Sequence, residues 1–217
     1  MHSMKRPAAA LAAAVLTVTV LAGCGDDGKN SSDDASETST PSQTPGETPS
    51  ESSETPTATD FGTPAKGARI KGKSYTFRAP QSWTDITTSA RGVEKSIDSA
   101  AAEPTKADGF LDSVNVTFDK AAAGTTLDDL AASVPDQLKG VVKKLDVAPR
   151  VRIGDVESLH HRGLLSDGST KYYLDQFVTI AEDGTITVIS FNFSPGLKKG
   201  PREDVVNSVL ASWKWAS

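Results

Sequence analysis

The chain has 217 residues, 37% of them hydrophobic, with 23 Lys and Arg against 28 Asp and Glu, a formal net charge of −5 and one cysteine. A single cysteine excludes an intramolecular disulfide framework. The acidity is uneven: residues 25–60 hold nine acids and only Lys29, whereas residues 61–217 carry 20 bases and 19 acids. Most of the chain is therefore near neutral, with no electrostatic reason to seek nucleic acid.

Lys5 and Arg6 precede an apolar stretch over residues 8–22, broken only by Thr17 and Thr19 and followed by Gly23 and Cys24. The stretch falls short of the ~20 apolar residues that a membrane-crossing helix needs. It closes in small residues, the layout of a cleaved export signal. Leu21-Ala22-Gly23-Cys24 resembles the lipobox of bacterial lipoproteins. That resemblance implies a lipoprotein signal peptide over residues 1–23, cut before Cys24, and a diacylglycerol on the Cys24 sulfur. One acyl chain holds a protein to a bilayer marginally and two hold it stably. The expected location is the extracytoplasmic face of the cell membrane, with the membrane as a partner through the lipid anchor.

From Gly25 to about Lys66 the chain is Ser, Thr, Pro, Glu, Asp and Gly, with no apolar residue larger than alanine before Phe61. Such a segment cannot bury enough surface to offset its ordering entropy. Residues 24–66 therefore read as the lipidated cysteine and a disordered stalk, with a coil-like span of about 35 Å. Its Thr-Pro and Ser-rich pieces are also similar to O-glycosylated stalks.

Residues 67–217 read as one globular domain. Tyr75, Phe77 and Ala79 alternate with Ser74, Thr76 and Arg78 up to Pro80, a half-buried strand with Trp83 placed to cover the sheet end. Residues 84–110 have no clear period; 91–102 fits a helix or an irregular loop with a strand. Val114, Val116 and Phe118 alternate with Ser113, Asn115, Thr117 and Asp119, which predicts a strand with one packed face and one face open to water. Leu127, Leu130, Ala131, Val134, Leu138, Val141, Val142 and Leu145 then form a helical stripe, with Thr126 and Asp129 placed to cap it. Pro135 inside it predicts a kink or a break near Val134.

Strands are expected around 147–153, 156–164, 172–181 and 185–193. Asp183-Gly184 predicts a type I′ hairpin between the last two, with Val178, Ile180, Ile186 and Val188 covered on the face opposite Ile189, Phe191 and Phe193. A terminal helix follows, with Pro201 near its first position, Glu203 and Asp204 in its first turn, and Val205, Val206, Val209, Leu210 and Trp213 as its buried stripe. Helices alternating with groups of antiparallel strands indicate an α+β domain with a central, mostly antiparallel sheet packed by helices.

The strand at 75–79 ending in Pro80 with Trp83 after it, the strand at 114–118 leading into a long helix, the meandering strands and the closing Ser212-Trp213-Lys214-Trp215 resemble the LpqN/LpqT lipoproteins of actinobacteria. The resemblance spans nearly all of 67–217. It implies the PsbP-like fold, an α/β/α sandwich, and a non-enzymatic role as a binding or accessory subunit on membrane assemblies, in some members linked to envelope lipids. It carries no catalytic motif, and no residue inherits a role.

The residues themselves offer little chemistry. His160-His161 on a strand point to opposite faces and cannot chelate one metal together without a bulge, so they read as surface or edge histidines and no metal site is expected. There is no nucleophile elbow, and Ser166, Ser169 and Ser194 lie in apparent turns without a paired base. Asp128-Asp129 and Glu203-Asp204 fit helix starts and Glu182-Asp183 fits a turn, without the interleaving of a calcium loop. Trp213 reads as core, and Trp215 as the better candidate for a ligand surface. The expectation is a non-catalytic, membrane-anchored lipoprotein without a cofactor, whose domain binds an envelope protein, a lipid or a glycolipid. A small envelope enzyme and a solute-binding transporter component are the alternatives.

Overall fold

The computed structural model describes residues 58–105, 110–167 and 170–216. Cys24, the expected signal peptide and the stalk up to residue 57 lie outside them. In chain order the elements are β1 (Arg69–Lys71), β2 (Tyr75–Arg78), β3 (Thr84–Asp85), α1 (Thr87–Val93), β4 (Ile97–Ala102), β5 (Ser113–Lys120), α2 (Leu127–Lys139), β6 (Val142–Ile153), β7 (Val156–Asp167), β8 (Thr170–Ile180), β9 (Thr185–Phe193), α3 (Lys199–Ala211) and β10 (Lys214–Trp215). A seven-stranded sheet runs β3-β4-β5-β9-β8-β7-β6 and a three-stranded one β1-β2-β10, with every pairing antiparallel.

Alternation along the central strands sends apolar side chains to both faces of the large sheet. Val114, Val116, Phe177, Ile189, Phe191 and Phe193 pack with Val206, Val209 and Leu210 of α3 and with Tyr75 and Phe77 of β2. On the opposite face Leu159, Leu165, Val178, Ile186 and Val188 lie against Leu130, Val134 and Leu138 of α2, and Ile97 and Ala100 against Ala90 of α1. Helices thus cover both faces of an α+β domain. No helix among the described residues is long and apolar enough to cross a membrane.

Double coverage overturns the water-exposed face expected for β5: Asn115 and Thr117 are each only 7% exposed. The stretch 84–110 resolves into β3, α1 and β4, so it holds both a helix and strands. Its Asp98, buried in β4, accepts hydrogen bonds from the Tyr75 hydroxyl at 3.0 Å and the Lys73 amide at 2.9 Å, and ion-pairs with Arg91 at 3.4 Å. This ties the small sheet to the large one, and burial pushes the Tyr75 phenol well above its ordinary value.

Several local expectations change. Helix α2 runs unbroken through Pro135, capped by the Thr126–Asp129 box and pinned by Leu130, Val134 and Leu138. It stops at Lys139, so Val142 and Leu145 belong to β6. The β8–β9 turn is centred on Glu182-Asp183, with the Gly184 amide donating to the Ala181 carbonyl at 2.9 Å and Gly184 itself at φ 78. That is a turn with glycine in the left-handed bulge position rather than type I′, which needs positive φ at both central residues. Helix α3 starts at Lys199, two residues before Pro201, and leaves Glu203 and Asp204 beyond its first turn. Trp215 is half-buried in β10, its Nε1 donating to the Ile153 carbonyl at 2.8 Å, so it is no open ligand surface. Residues 58–66, which composition groups with the stalk, lie on the domain. The Thr59 amide donates to the Arg152 carbonyl at 3.3 Å, Phe61 packs on the core, and Ala65 is buried with its amide donating to Ser208 at 2.8 Å.

Candidate functional site

The adjacent histidines take opposite faces, His160 opposite Phe177 and His161 opposite Gln176. Neither is a surface residue. His161 is 1% exposed. It ends a polar row across the face that α1 and α2 cover, in which Asn115, Ser190, Gln176 and His161 are successive cross-strand partners. Gln176 Nε2 donates to Ser190 Oγ at 3.2 Å, while His161 Nδ1 is buried with no hydrogen-bond partner among the described residues. Burial, with a contribution from His160, lowers the His161 pKa to about 4, so it is neutral at pH 7. Ser190 lies two strands from His161, about 10 Å at ordinary strand spacing, too far for a serine–histidine dyad.

On the other face, a cleft of about 200 Å³ opens between β6–β8 and the start of α3. An irregularity in the edge strand builds it. Lys143 pairs with Leu164 and Asp146 with Arg162, so Lys144 and Leu145 together face Gly163, a β-bulge. Lys144 sits at φ 53, the one non-glycine residue in the left-handed region among those described. Gly163 is required there, since a Cβ would lie 2.3 Å from Val142 Cγ1 and 3.1 Å from the Lys143 carbonyl oxygen. Gly163→Ala is therefore expected to cost about 1–3 kcal/mol through overpacking and to displace the bulge. A denaturation midpoint indistinguishable from the unsubstituted protein would contradict this close approach.

Most charges lining the cleft are matched. Arg162 donates twice to Asp146 Oδ2, from Nε at 3.1 Å and Nη2 at 2.6 Å, and lies 4.0 Å from Glu203. Lys199 reaches Glu203 at 3.5 Å, one helical turn along. Asp175 pairs with His160 at 2.6 Å, both largely buried, and the imidazole stacks on Phe177 at 4.3 Å. Arg202 differs: its guanidinium lies over the Tyr173 ring at 3.6 Å, its Nη1 is buried without a partner, and no carboxylate pairs with it among the described residues. Lys144 likewise forms no salt bridge among them. The apolar wall between these charges is Tyr173 and Phe193.

The arrangement is suited to holding a ligand. His160 and Asp175 form an acid–base pair, but among the described residues the His160 side chain hydrogen-bonds only Asp175, with no serine, threonine or cysteine in line to be activated. Among the described residues there is no group of three or more His, Cys, Asp or Glu suited to a metal ion. Of the carboxylate pairs, Asp128-Asp129 start α2 and Glu182-Asp183 form a turn, while Glu203 enters the cleft network. Sequence reasoning singled out none of Lys144, Arg162, Tyr173 and Arg202. The one legible signal was Gly163 within a strand, which marks a bulge or a close backbone approach.

No protein-family model and no curated protein matches this sequence. Among solved structures, the chain is similar to LpqN of Mycobacterium tuberculosis, described as involved in cell envelope biogenesis, with a TM-score of 0.52 and 12% identity over 68% of this chain and 92% of that one. A Bacteroides thetaiotaomicron protein gives a TM-score of 0.46 at 12% identity over 69% of this chain, which spans only 48% of that protein. The Saccharomyces cerevisiae Ran-binding protein Mog1p gives 0.44 at 11% identity over 67% of this chain and 95% of that one. The likeness to LpqN shows a distant LpqN-like fold.

Proposed function

We propose, on the premise of an LpqN-like α+β fold, that this chain is a lipoprotein. Residues 1–23 are its signal peptide, Cys24 carries the lipid, and the residues up to the domain form a stalk at the outer face of the cell membrane. Its domain is a non-catalytic binding module that serves an envelope protein, a lipid or a glycolipid as an accessory factor. The observation that carries this reading is the cleft beneath α3. Most of its charged side chains pair with one another, its wall is apolar, and its histidine–carboxylate pair contacts no nucleophile among the described residues. Recessed apolar surface with a few fixed polar groups is what ligand sites present. The distant likeness of the fold to LpqN, described as involved in cell envelope biogenesis, supports this reading.

The test is a cross-linking pull-down of the lipidated protein from its native envelope beside a Cys24→Ala form, with bound proteins and extracted lipids identified by mass spectrometry. The expected result is a specific envelope component captured by the anchored protein and lost or sharply reduced with Cys24→Ala. Release of the Cys24→Ala form from membranes should accompany it. Capture of nothing by a folded, anchored protein would overturn the accessory role. A Cys24→Ala form that stays membrane-bound with an unchanged mature mass would overturn the lipid anchor.

A further inference from the structure

We propose that the cleft beneath α3 is a site for a singly charged phosphodiester, held by Arg202 from one wall and Lys144 from the other. This inference rests on the reading of that cleft as the binding site and names the ligand chemistry it takes.

The charge arrangement selects the sign. Four cations line the cleft, Lys144, Arg162, Lys199 and Arg202, against three carboxylates, Asp146, Asp175 and Glu203. Every carboxylate is engaged: Asp146 by Arg162, Asp175 by His160, and Glu203 by Lys199 and Arg162. The two lining cations without a carboxylate partner among the described residues are Arg202 and Lys144. Arg202 has Nη1 buried with no partner among the described residues, and its guanidinium lies over the Tyr173 ring, so it is oriented before any ligand arrives. A planar guanidinium held in one orientation loses little freedom on pairing with an oxyanion. Lys144 is exposed and its backbone sits in the bulge, at a left-handed position that a non-glycine residue takes only where the surroundings hold it.

The same count selects the valence. The lining carries one net positive charge, and the carboxylates of Asp175 and Glu203 flank the space, so a dianion meets repulsion that a monoanion largely escapes. The two cations without a carboxylate partner belong to different elements, α3 and β6. Each can take a different charged oxygen of one phosphodiester. Tyr173 and Phe193 form an apolar wall on which the carbon substituents of an ester can lie. Inorganic phosphate has none. A phospholipid headgroup and a free phosphodiester share this chemistry.

Binding is measured on the full chain by titration with diethyl phosphate and with inorganic phosphate, and by co-sedimentation with phosphatidylglycerol-containing vesicles against phosphatidylcholine vesicles. Variants are Arg202→Gln, Lys144→Asn, which tolerates the left-handed backbone, and Lys71→Gln as a charge control at an exposed position of β1. Diethyl phosphate is expected to bind more tightly than inorganic phosphate, to weaken at least about tenfold with Arg202→Gln and several-fold with Lys144→Asn, and to be unaffected by Lys71→Gln. Arg202-dependent sedimentation with phosphatidylglycerol assigns the group to a lipid headgroup; binding of diethyl phosphate alone assigns it to a soluble ester. Either outcome supports the site. The proposal is overturned if inorganic phosphate binds more tightly, if Lys71→Gln lowers binding as much as Arg202→Gln, or if folded protein binds neither probe. A successful envelope pull-down together with that last result would leave the accessory role standing and remove only the anion site.

Discussion

Replacing Trp213 with alanine is expected to destabilise the domain by about 3–5 kcal/mol, the usual range for deleting a buried aromatic side chain. Trp213 is 6% exposed. Its ring stacks on Tyr75 at 4.5 Å and on Phe77 at 5.2 Å, and meets Trp215 edge-on at 5.4 Å. One side chain therefore joins the end of α3, the strand β10 beside it and the face of β2. Truncation leaves a cavity lined by rigid rings that cannot collapse into it. A domain of this size should lose roughly 10 °C in Tm. Trp213→Phe should lose far less, because the indole Nε1 is buried without a partner and phenylalanine keeps the stack while removing that group. Urea denaturation of both variants checks the pair. A loss below about 1 kcal/mol for Trp213→Ala would show that the aromatic stack does not hold α3 on the sheet.

Acid should weaken the domain through His161, in a pH range set by its two protonation constants. Its ordinary value is 6.5 and burial lowers the folded value to about 4. The unfolded chain therefore takes up the proton first as pH falls. The full contribution of neutral His161 is present above about pH 6.5, is lost progressively on descending towards about pH 4, and changes no further below that. At 1.36 kcal/mol per pKa unit, the loss is on the order of 3 kcal/mol. His161→Leu removes the titration together with the unpartnered Nδ1, so at pH 7 it should be as stable as the unsubstituted protein or more so. Its stability should then decline less across that range. Carboxylates titrate in both proteins, so the difference between the two curves of denaturation midpoint against pH isolates the histidine. Parallel curves would mean that His161 is hydrated in solution.

These two residues show how differently the chain reveals its parts. In the sequence Trp213 continues the helical spacing of Val206, Val209 and Leu210, which makes its burial readable, although α3 itself ends at Ala211 and Trp213 lies just beyond it. His161 sits beside His160 on a strand, and alternation tells only that the two diverge. Whether a diverging side chain meets water or a helix depends on what lies across each face. The same limit governs β5, whose polar residues Asn115 and Thr117 are covered although their pattern is that of a half-exposed strand. Pro135 illustrates the reverse case. Local propensity argues for a break, and burial of Leu130, Val134 and Leu138 keeps one helix.

The sequence by itself determined the order of the main elements, the α+β class and the principal apolar faces, because these follow from period-two and helical spacing and from Gly and Pro, all properties of residues near one another in the chain. It also carries the lipobox-like segment ending in Cys24, whose reading needs no fold. Only the tertiary structure decided the cleft. Asp146 meets Arg162, Arg162 meets Glu203, and Arg202 lies on Tyr173 because a bulge opposite Gly163 and the docking of α3 bring three stretches of chain together. Charge pairing across such separations leaves no periodic trace, so which cation stays unpaired is settled by register and packing alone.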